Sequence, residues 1–95
     1  MQTQVAFRHM DSSETVTEHV NRKLQRFSRF GDIIIDVSVT LSKAQNRSIA
    51  EFVFKVKGDT LKCSEESEDL YASIDRGLET AERMIGKHRD HLRAR

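Results

Sequence analysis

The segment 33–41 constrains the fold of this chain more than any other feature of its sequence. In it, Ile33, Ile35, Val37, Val39 and Leu41 alternate with Ile34, Asp36, Ser38 and Thr40. A β-strand points every second side chain to the same face, so only a strand satisfies a period of two over this length. The segment predicts a strand with one buried face, in a protein built around a sheet.

Two other segments carry the same period. Within residues 2–8, Val5 and Phe7 alternate with polar side chains, which predicts a short strand. A polar turn at 43–46 follows the central strand. The next alternation predicts an antiparallel hairpin partner, with Ala50, Phe52, Phe54 and Val56 on one face and Glu51, Val53, Lys55 and Lys57 on the other.

The hairpin partner leads into a predicted fourth strand. The pair Gly58-Asp59 favours a tight reversal, because glycine tolerates positive φ and aspartate is common in turns. Residues 60–65 follow as a strand that is expected to bury Leu61 and Cys63.

Between the first two strands the period changes to that of a helix. Asp11 and Glu14 have the spacing of a capping box, which predicts a helix from about Ser12 to Phe30, ending at Gly31. The buried stripe of this helix is formed by Val16, Val20, Leu24 and Phe27.

A second, longer helix is predicted towards the C-terminus. Ser67 is a favourable N-cap, and Glu68 and Asp69 behind it suit the positive end of a helix dipole. Apolar residues then recur at helical spacings, which predicts one face packed on the sheet and the rest in water. These residues are Leu70, Ile74, Leu78, Ala81, Ile85 and Leu92.

The order of elements predicts an α+β fold, β-α-β-β-β-α, in which residues 1–95 form a single domain. Each strand has one apolar face, so the simplest packing lays both helices on one face of a four-stranded mixed sheet. The helical crossover makes the first strand parallel to the second, and hairpins connect the others. The predicted core consists of Val16, Val20, Leu24, Phe27, Ile35, Val37, Val39, Phe52, Phe54, Val56, Leu70, Ile74, Leu78 and Ile85.

Charge and cysteine content limit the classes of function. Sixteen Lys and Arg against 15 Asp and Glu give a formal net charge of +1, so attraction to an anionic partner depends on where the charges lie. The single cysteine, Cys63, and the lack of an apolar leader lead us to expect a reducing cytoplasm. Apolar runs such as Ile33–Ile35 are too short to cross a bilayer, so no membrane partner is expected.

The first helix carries a stripe of cations. Arg22, Arg26 and Arg29 lie at positions i, i+4 and i+7, Lys23 lies beside them, and no acid occurs over residues 19–31. At about 100° per residue, this stripe points away from the apolar stripe of the helix.

The second helix carries a comparable outward stripe, Arg76, Arg83 and Lys87. Its other flank is acidic, and further cations follow towards the C-terminus: Asp75, Glu79 and Glu82 form the flank, and Arg89, Arg93 and Arg95 are the cations. Two such helices side by side predict one continuous basic ridge, which suits phosphates. The alternative is that both stripes are merely solvated helix faces.

Catalysis and cofactor binding find little support. The sequence contains no glycine-rich phosphate loop, nucleophile elbow or metalloprotease motif. His88 and His91 lack a third ligand at a motif spacing, and Cys63 occupies an inward strand position. Tyr71 is expected to pack between helix and sheet. We therefore expect no enzymatic activity, no metal and no cofactor.

A motif at the start of the second helix resembles the C-terminal helix of the ribosome hibernation-promoting factors. It reads Asp69-Leu70-Tyr71-Ala72-Ser73-Ile74-Asp75 and is followed by Arg83 and by Lys87-His88-Arg89-Asp90. Glu18, Val20 and Lys23 of the first helix also fit this family, as do the chain length and the order of elements.

The resemblance implies a bacterial protein, similar in fold to double-stranded-RNA-binding domains, that binds 16S rRNA in the decoding region of the small ribosomal subunit. There it would overlap the messenger path and the A- and P-site tRNA positions, and silence idle ribosomes in stationary phase. The rRNA-binding positions that match the family are Lys23, Arg26, Arg83, Lys87 and Arg89, to which the stripes add Arg22, Arg29, Arg76 and Arg93.

The resemblance is to the short form of the family, without a C-terminal dimerisation domain. It implies a protein that is monomeric when free and that favours dimers of whole ribosomes together with a separate ribosome modulation factor. Two alternatives stay open: a generic double-stranded-RNA-binding module, and a regulator of transcription that acts through a protein partner.

Overall fold

The computed structural model describes residues 1–94 and contains the predicted elements in the predicted order. The strands are β1 (Gln2–Arg8), β2 (Ile34–Ala44), β3 (Arg47–Val56) and β4 (Asp59–Ser67), and the α-helices are α1 (Glu14–Leu24) and α2 (Leu70–Arg93). A 3₁₀ helix, Gln25–Phe30, continues directly from α1. The α+β prediction is confirmed.

The four strands form one mixed sheet in the order β1-β2-β3-β4. β1 runs parallel to β2, and β2, β3 and β4 are antiparallel neighbours. Val5, Val39, Phe52 and Cys63 lie in one row across the sheet. The predicted parallel crossover and hairpins are therefore correct.

Both helices cover one face of the sheet, and the core lies between this face and the helices. Phe27, in the 3₁₀ helix, stacks on Phe54 of β3 with 5.3 Å between ring centroids. On the other side, α2 approaches so closely that a Cβ at Gly77 would clash with the ring of Phe52. The buried core consists of Val16, Val20, Leu24, Phe27, Phe30, Ile33, Ile34, Val37, Val39, Leu41, Ala50, Phe52, Phe54, Val56, Ile74, Leu78, Ala81 and Ile85.

The prediction that Ile35 belongs to the core is wrong. Ile34 pairs with Val56 and Asp36 pairs with Lys55, so Ile35 is an extra residue on β2. Such a bulge reverses the inward and outward alternation at that point. The side chain of Ile34 is consequently buried, and Ile35 is 46% exposed.

The first helix differs from its prediction at both ends. It begins at Glu14, and its N-cap is Ser13, whose hydroxyl accepts from the Val16 backbone N–H. After Leu24 it tightens to a 3₁₀ helix, which has three residues per turn. Leu24, Phe27 and Phe30 are spaced by three residues, so the tighter helix keeps all of them on the buried side, whereas an α-helix would rotate each about 60° from the last.

The second helix begins later than predicted, because its N-cap is Asp69 and not Ser67. The Asp69 carboxylate accepts from the Tyr71 backbone N–H at 3.1 Å. Ser67 is instead the last residue of β4, where its hydroxyl contacts the Ser73 hydroxyl at 2.8 Å. Of the predicted core residues of this helix, Leu70 is only partly buried, at the margin of the core.

The first hairpin turn is tighter than predicted, and the second is shifted by one residue towards the N-terminus. Gln45 and Asn46 alone separate β2 from β3, and Gln45 takes a φ of 56°. Gly58, with a φ of 82°, provides the reversal into β4. In this outer strand Leu61 and Cys63 point inwards but are only half-buried.

Candidate nucleic-acid interface

The motif at residues 69–75 joins α2 to its neighbours. The Ser73 hydroxyl is buried and donates to the Ser48 backbone carbonyl of β3 at 2.8 Å. Two residues on, Asp75 accepts from Nε2 of His19 on α1 at 2.9 Å. The motif thus fixes the position of α2 against both the sheet and α1.

Tyr71 contributes to the same joint. Its ring meets the His19 ring edge-on, with 4.8 Å between centroids. The prediction that Tyr71 packs between helix and sheet is wrong, because its aromatic neighbour is on α1. The side chain remains 38% exposed at the rim of the helix pair.

Glu82 of α2 lies against the cationic stripe of α1 and its 3₁₀ extension. Its Oε2 is 2.9 Å from Nη2 of Arg29, and its Oε1 is 3.8 Å from Nε of Arg26. The acidic flank of α2 therefore faces the cations of the first helix. The predicted basic ridge is therefore interrupted by an acidic side chain at this point.

The other two cations of the first helix, Arg22 and Lys23, lie in the last turn of α1. Arg22 is exposed and donates from Nη2 to Nδ1 of His19 at 3.2 Å. Because Nδ1 accepts this bond from Arg22, Nε2 is the ring nitrogen that donates the hydrogen bond to Asp75. Lys23 is half-buried.

Two guanidinium groups cover Phe30. The Arg29 and Arg89 Cζ atoms lie 4.4 and 4.7 Å from the centre of its ring, and Phe30 is fully buried. Nε of Arg89 is also buried and has no hydrogen-bond partner among the described residues. Arg89 thus packs α2 against the 3₁₀ helix.

The outward stripe of α2 is different, because its cations form no ion pair among the described residues. Arg76, Arg83 and Lys87 are exposed, and within residues 1–94 none of them has an acidic group within 4.0 Å. Among residues 1–94, the side chain of Arg83 forms a hydrogen bond only with that of Thr80, at 3.4 Å. The stripe spans about 16 Å along the helix axis, at 1.5 Å per residue.

One further predicted cation lies at the C-terminal end of α2. Arg93 is exposed in the last turn of the helix. Arg95 lies outside the described residues. Close by, Nε2 of His88 donates to the Lys57 backbone carbonyl at 2.7 Å, which ties this end of the helix to the turn between β3 and β4.

Cys63, one of the side chains considered for catalysis, is half-buried between β4 and α2. Burial, and secondarily the nearby Glu65 carboxylate, raises the pKa of the Cys63 thiol, which donates to the Gly77 carbonyl at 3.5 Å. The described residues contain no group of three or more His, Cys, Asp and Glu side chains placed to hold a metal ion.

None of the described helices is both long and apolar enough to cross a membrane.

Comparison with known proteins gives the family. A family model described as Sigma 54 modulation protein / S30EA ribosomal protein matches residues 3–93. This chain belongs to that family. The resemblance to ribosome hibernation-promoting factors, inferred from the sequence, is confirmed.

Two relatives in the family illustrate the range of lengths. The ribosome hibernation promoting factor of Escherichia coli K12 is 27% identical over 93 residues, covering 98% of each chain. The ribosome hibernation promotion factor of Deinococcus radiodurans is 32% identical over 89 residues, covering 88% of this chain and 47% of that protein. The chain therefore spans about half the length of the Deinococcus relative.

Solved structures give the same fold. The N-terminal domain of Thermus thermophilus Protein Y superposes with a TM-score of 0.83 at 28% identity, covering 90% of this chain and 94% of that domain. A ribosomal subunit interface protein from Coxiella burnetii has a TM-score of 0.88 at 23% identity, covering 95% and 99% of the two chains, and supports the fold alone.

Sequence reasoning missed three contributors to this surface: His19, Phe30 and the pairing role of Glu82. The spacing of Leu24, Phe27 and Phe30 was a usable signal for the 3₁₀ helix and the burial of Phe30. The pairing of Glu82 had no comparable signal, because helical periodicity gives the flank on which a residue lies but not the side on which the other helix packs.

Proposed function

We propose that this protein binds the small ribosomal subunit at its decoding region, in the cytoplasm, and silences idle ribosomes. The single observation that carries the proposal is the exposed stripe of α2 cations, which have no carboxylate partner within residues 1–94, in a family whose relatives are named ribosome hibernation promoting factors. The 16S rRNA would be contacted by Arg22, Lys23, Arg26, Arg29, Arg76, Arg83, Lys87, Arg89 and Arg93.

The chemistry of these side chains suits RNA phosphates. Arginine presents a planar fork of donors that matches phosphate oxygens, and it keeps its charge at any physiological pH. The net charge is only +1, so the attraction must be local and confined to the helix face. The outward side chains of the strands include no aromatic residue on which bases could stack, which favours recognition of the backbone and shape of the RNA.

Inhibition in this proposal is by occupancy, and no reaction is catalysed. A protein in the decoding region excludes the messenger and the A- and P-site tRNAs sterically. We further propose that residues 1–95 act as a single ribosome-binding domain, that the free protein is a monomer, and that the bound protein favours dimers of whole ribosomes with a separate ribosome modulation factor.

Competition on purified small subunits tests this proposal. We expect the protein to displace initiator tRNA and messenger, and to inhibit initiation without consuming any nucleotide. Filter binding with labelled initiator tRNA and messenger measures the displacement. Simultaneous, unimpaired binding of protein, tRNA and messenger would place it elsewhere on the ribosome and contradict the proposal.

The name of the family also includes modulation of sigma 54, which keeps a transcriptional partner as a second candidate. A protein partner would have no need of a cationic stripe free of carboxylates. A generic double-stranded-RNA binder would bind free RNA helices as tightly as small subunits. Including a free RNA duplex and purified sigma factor in the same binding series distinguishes the three functions.

A further inference from the structure

We propose that Glu82 is an intramolecular competitor of RNA phosphate: its carboxylate occupies the position between Arg26 and Arg29 that a phosphate group takes on binding. The inference rests on the proposed function and deepens it. It assigns Arg26 and Arg29 to a site that becomes available when a phosphate displaces the Glu82 carboxylate, whereas the outward stripe of α2 is accessible without any displacement.

The geometry of the carboxylate matches that of a phosphate. Oε2 accepts a hydrogen bond from Nη2 of Arg29 at 2.9 Å, and Oε1 lies 3.8 Å from Nε of Arg26, an ion pair that is too long for a hydrogen bond. A phosphate group can accept the same hydrogen bond from Arg29 and place a second oxygen near Arg26, because both anions accept charge-assisted hydrogen bonds from arginine. The two ligands therefore exclude each other at the inner donors of this site.

The arginines are placed so that exchange is possible. The side chains of Arg26 and Arg29 are 43% and 55% exposed, and that of Glu82 is 27% exposed. Ion pairs this open to water are weak, so a phosphate group can displace the carboxylate. Arg29 also lies over the Phe30 ring at 4.4 Å, a contact that keeps its guanidinium oriented when the carboxylate has moved.

Glu79 provides a matched control on the same helix. It carries the same charge and is exposed, but it has no cation within 4.0 Å among the described residues. Glu79→Gln therefore changes the net charge by the same amount as Glu82→Gln without releasing any arginine. A difference between the two variants reports the local competition and not the long-range field.

The experiment measures binding to purified bacterial small subunits across a range of salt concentrations. We expect Glu82→Gln to bind about three- to tenfold tighter than the parent at low salt, with a slope of log affinity against log salt that is steeper by about one, because one more phosphate is neutralised. We expect Glu79→Gln to change affinity less than about twofold. Glu82→Asp, which keeps the charge but withdraws the carboxylate, should give an intermediate gain.

A coupling measurement completes the test. In a protein that already carries Arg26→Ala and Arg29→Ala, Glu82→Gln should gain no more than Glu79→Gln, since there is no arginine left to release. The thermal midpoint of Glu82→Gln should lie within about 4 °C of the parent, as expected for a surface pair.

Two results would overturn the inference while leaving the proposed function standing. If the parent binds small subunits and Glu82→Gln binds like Glu79→Gln, the carboxylate does not compete with phosphate. If Glu82→Gln binds more weakly than the parent, Glu82 orients the arginines for RNA and assists binding. Failure of the parent protein itself to bind small subunits would overturn the proposed function.

Discussion

The double substitution Arg83→Glu and Lys87→Glu is expected to weaken small-subunit binding by well over tenfold, which corresponds to about 1.4 kcal/mol or more. Both side chains are exposed on the outward stripe of α2 and have no carboxylate partner among the described residues. Each substitution removes a phosphate contact and places an acid in a strongly negative environment. Equilibrium binding to purified subunits measures the loss.

The fold should tolerate this change, since neither side chain takes part in the core. The charge-matched control is Lys55→Glu with Lys62→Glu, which alters the net charge equally on the open face of the sheet, away from the helices. We expect the control to bind within about threefold of the parent, because exposed charges beyond a Debye length are screened. If the folded Arg83/Lys87 variant binds like the parent, the stripe is only a solvated helix face and does not contact phosphate.

The largest expected effect on stability comes from truncating the core at the contact between sheet and helices. Phe54 is 1% exposed and stacks on Phe27, and Ile74 is fully buried. Phe54→Ala is expected to cost about 3–5 kcal/mol and Ile74→Ala about 2–5 kcal/mol, because each leaves a cavity that the surroundings fill only partly. A small domain has only about 5–15 kcal/mol of stability, so either variant is near unfolding. Urea denaturation followed by circular dichroism measures both.

The bulge in β2 supplies the control for this prediction. Ile35 is the same residue type as Ile74 but is 46% exposed, so Ile35→Ala should cost less than about 1 kcal/mol. If Ile35→Ala were as damaging as Ile74→Ala, Ile35 would face the core after all, and the register at the start of β2 would be wrong. Full stability of both Phe54→Ala and Ile74→Ala would contradict the packing of α2 on the sheet.

The sequence was sufficient to predict the fold wherever its periodicity was unambiguous. From Asp36 to Leu41 polar and aliphatic residues alternate, and the strand, its buried face and its neighbours follow. The run Ile33–Ile35 contains no alternation, since all of its residues are apolar. Which of them points inwards depends on the bulge, a long-range pairing that a local pattern does not encode.

The cap positions were also beyond the local pattern. Ser67, Glu68 and Asp69 are each suited to the start of a helix. β4 extends as far as Ser67 because that residue still pairs with Ser48 across the sheet, which moves the start of the helix to Leu70. Tertiary pairing thus decided between candidates that the sequence left nearly equal.

At the candidate site, the sequence identified the cations but not their partners. Arg83 and Lys87 lie on the outward stripe as predicted. Arg89 instead packs over Phe30, and Arg29 pairs with Glu82. These contacts cross from one helix to the other, so they depend on the angle and the side at which α2 meets α1. That geometry is set by the joint that Ser73 and Asp75 form with their neighbours.

The most direct test of the central claim, that this protein is a phosphate-contacting ligand of the small subunit, is sedimentation of a bacterial lysate with added protein at two salt concentrations. At low salt we expect the protein to migrate with small subunits and whole ribosomes, and at high salt to remain at the top of the gradient, since several phosphate contacts make affinity fall steeply with salt. Migration away from ribosomal particles at low salt, or migration with them that salt does not change, would contradict the claim.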